Sequence, residues 1–300
     1  WLTATLGVSA EHPVTGERIA AENLLSGEGL RRILAEMVTN FTGFAPLGVV
    51  LVAMLGIGVA ERAGLLGCIL RRLVLAAPAK ALTFVVVLAG VLSSLAADAG
   101  YVVLIPLAAL AFHAAGRHPV AGIAAAFAGV SAGFSANLLI GPLDAILAGL
   151  STEGVRLVEP EYTVNAAANW WFIIVSTFVI SLTGSWVTER VAEPRLGAPP
   201  SEGESPEPLT TAERRGLAWA GGVTLVLLAL LLAGLVPAGG VLRHPETGSI
   251  LRSPFIEGIV TVIALWAALA GIAYGRAAGT LESGADVIRG MESTMETMAA

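Results

Sequence analysis

The chain has one cysteine, Cys68, in 300 residues. An internal disulfide is therefore impossible, and so is a cysteine-rich metal site. Cys68 reads as a small buried hydrophobe. Charge is scarce too. Asp, Glu, Lys and Arg make up 13% of the residues, where a soluble globule carries roughly a quarter. The net charge of -6 offers no basic surface for nucleic acid. Familiar enzyme strings are missing: there is no His-Glu-x-x-His, no Walker loop and no Cys-x-x-Cys. The chain reads as a non-enzyme that needs no prosthetic cofactor.

Apolar sequence is what it has in abundance. Hydrophobic residues make up 55%, and the mean hydropathy is +0.79. Several apolar runs reach the roughly 17–25 residues that a spanning helix needs. The fold class is an all-α polytopic membrane protein. Glycine, at 35 residues, together with abundant alanine, suits helices that pack closely in lipid. Trp1–Leu6 reads as the tail of an earlier apolar segment, and Met291–Ala300 stops without a closing signal, so both ends read as cut.

Residues 7–28 form a polar outer loop, and Gly29–Asn40 an amphipathic helix at the interface. Phe44–Ala60 is the first complete span. Ala81–Ala115 contains two apolar arms of about 14 residues around Ser93–Tyr101, too short to be full spans. They read as a re-entrant hairpin, or else as two tightly joined spans. Residues 120–150 form a broken segment, 151–168 a polar loop, and Asn169–Trp186 a span with aromatic ends. Glu189–Glu213 is a Pro-rich linker, followed by spans at Leu217–Val236 and Pro254–Gly275 and an amphipathic segment at Gly279–Met298. Arg71, Arg72, Lys80 and Arg117 are among the basic residues that place their side in the cytoplasm. The loops 7–28, 151–168 and 237–253 then lie outside.

The stretch Gly129–Gly149 organises the chemistry. Pro142 removes a backbone donor, and Gly133 and Gly141 weaken helix on either side of Ser135 and Asn137. Broken backbone at membrane depth persists only where it is buried in protein or lines a cavity. Such breaks build the sites of secondary transporters. Asp144 is costly in an apolar segment, by about 2.5–3.5 kcal/mol at a helix centre, which implies a cavity, a cation or a proton, or else a place near the outer end of its segment where it reaches water. Asp98 has the same logic at the hairpin tip, or caps its own loop. Ser131, Ser135 and Asn137 supply oxygens at the break, and Ser93 and Ser94 supply them from the hairpin. Na⁺ near Ser135 and Asn137 is one reading. Gly141 and Pro142 free backbone groups, and the N–H groups of the following half-helix suit an anionic substrate. Glu257 lies close enough to the interface to reach water. Trp170, Trp171, Trp186 and Trp266 read as belt or packing residues.

The runs Ala97-Asp-Ala-Gly-Tyr-Val-Val-Leu-Ile-Pro-Leu-Ala108, Gly116-Arg-His-Pro119 and Ala128-Gly-Val-Ser-Ala-Gly-Phe-Ser-Ala-Asn-Leu-Leu-Ile-Gly-Pro-Leu-Asp-Ala145 are specific. With Tyr162–Asn165, Asn169-Trp170, Trp186–Glu189 and Glu193–Gly197 they resemble the AbgT family of p-aminobenzoyl-glutamate transporters and sulfonamide exporters. The resemblance covers nearly the whole chain. It implies an inverted-repeat transporter with a re-entrant hairpin, a broken transmembrane helix and a second repeat that is incomplete here. It implies a homodimer in the lipid bilayer of the bacterial inner membrane, driven by a coupling ion, Na⁺ or H⁺. The substrate would be a small anionic aryl-glutamate or a sulfonamide. By the same resemblance, 1–80 is scaffold and 81–150 belongs to an elevator-like transport domain, with hairpin 81–115, broken span 120–150 and site aspartate Asp144. Residues 151–188 supply a loop and span, 189–213 the linker, and 214–300 the start of the second repeat. The alternative is a truncated membrane scaffold that does not transport.

Overall fold

Residues 7–28 are not wholly irregular. After a short helix α1 (Leu2–Thr5), strands β1 (Ser9–Glu11) and β2 (Arg18–Ala20) pair antiparallel, with Ala10 opposite Ile19. Their connection uses a left-handed Gly16 at φ 67°. This is the expected polar loop folded into a hairpin. The computed structural model describes the chain except residues 45, 96–99, 134–135, 201–205, 238, 251–252 and 300. For residues 95, 142 and 297–299 it describes the backbone alone.

Helices α2 (Gly27–Thr42) and α3 (Leu47–Arg62) follow, then α4 (Leu65–Leu75). Ser26 starts α2 by accepting the Gly29 amide at 3.0 Å. Gly64, at φ 82°, turns the chain between α3 and α4. The hairpin region consists of α5 (Leu82–Leu92), a 3-10 turn at Ser93–Leu95, a π-turn at Gly100–Leu104 and α6 (Ile105–Ala114). Eleven helical residues reach only about 16 Å against a hydrocarbon core of about 30 Å. Neither arm can cross alone. Helix α7 (Pro119–Ala132) packs against both arms. The α5–α7 contact runs backbone to backbone, since a Cβ on Gly90 would stand 2.9 Å from the Gly129 Cα.

The second half of the broken span is α8 (Pro142–Arg156), so the helix continues six residues into the stretch read as loop. Thr152 permits this by turning its hydroxyl onto the Ala148 carbonyl at 2.8 Å and accepting the Val164 amide at 2.9 Å. Helix α9 (Trp170–Val187) runs on through a π-turn and a 3-10 turn to Arg195, which shortens the expected linker. Helix α10 (Thr211–Leu235) opens with a Thr210–Glu213 capping box. It is followed by α11 (Pro254–Glu257), α12 (Ile259–Ala278) and α13 (Gly284–Ala299). Trp170–Arg195, Thr211–Leu235 and Ile259–Ala278 are long and apolar enough to cross a bilayer.

Two large buried clusters and a smaller third divide the packing. One joins α5, α6 and α7, with Phe112, Leu104 and Val86 at its centre, and α9 lies against it. The other joins α3, α10 and α12 around Tyr274, Leu65 and Cys68, with α13 along α3. Helix α4 contributes to both, through Leu70 and Val74 on one side and Leu65 and Cys68 on the other. Helix α8 rests on α3, and its Ala145 meets Ala53, Ile259 and Val260. Gly56 abuts Ala264, Gly271 abuts Ala60, and Thr280 bonds the Ala63 carbonyl at 2.7 Å. These contacts advance together along both chains, so α3 and α12 run in the same direction. Inversion would make equivalent helices antiparallel, so α3 and α12 are not inverted counterparts of each other.

Candidate functional site

Among the described residues, Asn137 stitches the break between α7 and α8 to the end of α5. Asn137 is 3% exposed. Its Nδ2 donates to the Ser94 hydroxyl at 2.9 Å and to the Leu92 carbonyl at 3.3 Å. Its Oδ1 accepts the amides of Leu138 and Leu139 at 2.8 and 3.3 Å. Backbone amides in an irregular stretch between two helices have no helical partner and must be satisfied otherwise, and an Asx side chain can satisfy the two amides beyond it. Asn137 does this while holding the hairpin end of α5. Its oxygen is therefore already engaged, which weighs against its use as a Na⁺ ligand.

Asp144 takes the N3 position of α8. Its Oδ2 accepts the Gly141 amide at 2.7 Å, and Gly141 stands at the N-cap in extended conformation (φ -106°, ψ 178°). A carboxylate here is favoured by the helix dipole. It also occupies the helix start that the sequence reading offered to an anionic substrate, and Pro142 at the first helical position has no N–H to give. The half-helix N-terminus is thus already served by a negative group of its own. The carboxylate remains partly exposed, open to a proton or cation.

The other candidates divide. Ser93 is 1% exposed and donates to the Gly90 carbonyl at 2.6 Å, so it closes α5. Ser94 accepts from Asn137. Ser131 lies 3.2 Å from the Tyr101 hydroxyl, with Tyr101 edge-on to Phe127. The hydrogen bonds bring Asn137, Ser94 and the end of α5 together. They put Ser131 with Tyr101, and Asp144 with Gly141. Asp98 and Ser135 lie outside the described residues. Among the described residues, no group of three or more His, Cys, Asp or Glu could hold a metal ion.

Ser131 is also the centre of Gly129-Val130-Ser131-Ala132-Gly133, which matches the Gly-x-Ser-x-Gly string of hydrolase nucleophiles. That motif works from a sharp strand-to-helix turn with a histidine base nearby. Ser131 instead lies in the last turn of α7, facing a tyrosine. The string here is helix packing: its Gly129 is the close contact with Gly90.

Two features escaped the sequence reading. Trp170 donates its indole N–H to the Leu138 carbonyl at 3.0 Å, so the first residue of α9 steadies the break. Arg117, in the turn after α6, binds Glu193 with both arms of its guanidinium, Nε to Oε1 at 2.9 Å and Nη2 to Oε2. Its Nη1 donates to Thr83 at 2.7 Å, Thr83 donates to Glu189 at 2.6 Å, and the guanidinium stacks 4.3 Å over the Phe112 ring. This clamp fastens the base of the hairpin to the end of α9. In the sequence it leaves a threonine in an apolar arm and two acids four residues apart past a span, and neither names its partner.

A profile of the AbgT putative transporter family matches residues 1–300. The p-aminobenzoyl-glutamate transport protein of Escherichia coli (strain K12) is 40% identical over 299 residues, which cover 99% of this chain and 59% of that protein. The crystal structure of the Alcanivorax borkumensis YdaH transporter, noted for an unusual topology, matches with a TM-score of 0.89 at 51% identity, over 99% of this chain and 63% of that one. Neisseria gonorrhoeae MtrF, from a class of antimetabolite efflux pumps, matches with a TM-score of 0.82 at 44% identity, over 99% and 62%. The chain thus spans about three fifths of these relatives. They are transporters, not enzymes. With a match along its whole length, the chain belongs to the AbgT putative transporter family.

Proposed function

We propose that this chain forms part of an ion-coupled secondary transporter for p-aminobenzoyl-glutamate or a related aryl-glutamate, with sulfonamide export as a further activity. The observation that carries the reading is the Asn137 stitch, which joins a re-entrant hairpin to a broken span. A purely structural protein has no need of polar groups and irregular backbone at that depth. Asp144 is the coupling group, taking Na⁺ or H⁺. The packing supports a moving body made of α5, α6, α7 and α9, closed by the Arg117 clamp, against a frame of α3, α10, α12 and α13. The domain boundaries of the sequence reading then shift, because α9 travels with the hairpin and α8 stays on α3. The protein works as a homodimer in the bacterial inner membrane.

The test is flux of labelled p-aminobenzoyl-glutamate, and of a sulfonamide, by the full-length protein in proteoliposomes under imposed Na⁺ or H⁺ gradients. Asp144→Asn keeps an oxygen for the Gly141 amide, so the fold is expected to survive and gradient-driven flux to vanish. Undiminished flux in that variant overturns the assignment of Asp144.

A further inference from the structure

A cavity of about 820 Å³, lined by polar and apolar groups in similar measure, opens beside α8, among the loops that follow α8 and α10. One face of α8 walls it, through Ala145, Ala148, Gly149, Thr152 and Arg156. The eleven steps from Ala145 to Arg156, at about 1.5 Å each, carry that wall over about 16 Å. Arg156 is exposed at one end of this wall, and Ala145, next in sequence to Asp144, is buried at the other. Small residues along the wall leave the space open. The cavity therefore leads from the loops toward the start of the broken span's second half.

His244, from the loop after α10, lines the same space. Its Nδ1 accepts the amides of Glu246 and Thr247 at 3.3 and 3.2 Å. A neutral imidazole that accepts at Nδ1 carries its proton on Nε2, so His244 presents a donor. The turn that fixes this occurs twice. His12-Pro-Val-Thr-Gly16 and His244-Pro-Glu-Thr-Gly248 make the same bonds. In each, the histidine Nδ1 accepts two amides, its own amide reaches the residue after the glycine, the glycine amide returns to the histidine carbonyl, and the threonine hydroxyl accepts the next amide. Both glycines are left-handed, at φ 67° and 65°. The donor state belongs to the motif, yet His12 does not line this cavity.

The remaining groups complete a pattern. Arg156 is a second donor, shared with Glu153 at 3.3 Å. Glu161 and Glu257 are exposed acceptors, and Tyr162 adds an aromatic ring. A simple anion would meet the two carboxylates, and a simple cation would meet Arg156. A ligand with a carboxylate at one end, N–H donors at the other and an aromatic ring between matches donors and acceptors alike.

We infer that this cavity is a capture site for an aryl-amide carboxylate arriving from the side of these loops. The carboxylate binds at His244 and Arg156, and the ligand's N–H binds at Glu257. The inference rests on the transport reading above and adds an entry site away from the break.

The test uses the full-length protein in vesicles of one orientation, with p-aminobenzoyl-glutamate as probe. His244→Asn keeps a carbonyl for the two turn amides but loses the Nε2 donor. Losing a hydrogen bond to a charged group raises KM by roughly tenfold, and kcat is expected to stay unchanged. The rise appears only for substrate supplied on the loop side. His12→Asn, which alters the twin turn alone, leaves KM unchanged. An unchanged KM in His244→Asn, an equal rise from both sides, or the same rise in His12→Asn overturns the inference. Should the wild type show no flux, the transport reading fails by itself, and titration of the probe in detergent decides the cavity. Binding weakened roughly tenfold by His244→Asn supports the site, and absence of saturable binding to the wild type overturns it.

Discussion

Asn137 uses both ends of its amide, and the two ends can be tested apart. Asn137→Ala removes the hairpin bonds and leaves the Leu138 and Leu139 amides without their acceptor. Stranding buried donors costs about 1–3 kcal/mol. A lower thermal midpoint is expected, with flux lost as well. Asn137→Asp keeps the acceptor for the two amides but cannot donate to Ser94 or the Leu92 carbonyl, so the turn persists while the hairpin detaches. Cysteine accessibility at position 94 would rise in that variant. Ser94→Ala is expected to be milder, because the Leu92 carbonyl still accepts. Equal midpoints for wild type and Asn137→Ala would show that the stitch contributes nothing.

Elements are joined by contacts that need a particular side chain or the absence of one. Arg117→Lys keeps the charge but loses the two-armed grip on Glu193, the bond to Thr83 and the stacking on Phe112 together. Arg117 and Glu193 are mostly buried, at 19% and 24% side-chain exposure, so their pairing is not diluted as surface pairs are. A loss of about 1.5–3 kcal/mol is expected for Arg117→Lys from the charged hydrogen bonds it gives up, read as a drop in unfolding midpoint. Gly129→Leu would drive α5 and α7 apart and should abolish folded protein. At the far end of the chain, Asp286 closes the start of α13 by accepting from the Ser283 amide and hydroxyl, at 2.9 Å each, and from the Glu282 amide. These bonds, led by the Ser283 amide, hold its carboxyl below the usual carboxylate range. The stabilisation is full above the unfolded pKa of about 3.9 and is lost as pH falls through the lower folded value. Protection factors for the amides in the first turn of α13, with intrinsic exchange divided out, should therefore fall below about pH 4 and stay level between pH 5 and 8.

At the scale of the whole molecule, the sequence disclosed the break and the short arms, because Pro142, Gly133, Gly141 and the length of Ala81–Ala115 are local facts. Asp144 could also be found from sequence, since a carboxylate in an apolar run stands out. Its hold on Gly141 was not found, because helix caps depend on where the helix starts. The clamp joins Arg117 to residues more than 70 positions away, and Trp170 reaches back 32, so no local pattern could reveal them. The division into two bodies is a matter of packing alone. Helix α4 packs on both, and the Arg71–Glu213 pair, 2.6 Å apart, ties it to α10. If α4 moves with the hairpin body against the frame, a short cross-linker between Arg71→Cys and Glu213→Cys should stop flux reversibly. Unaltered flux with that bridge in place would mean that α4 and α10 move together.

Cys68 gives the frame a reporter that needs no engineering. It is 3% exposed and packed with Tyr274 among α3, α10 and α12. A thiol so enclosed meets an alkylating reagent only when α4 lifts from its neighbours. The labelling rate of the native sulfur thus times the opening of the frame, and a substrate that speeds or slows it does so by changing how often those helices part.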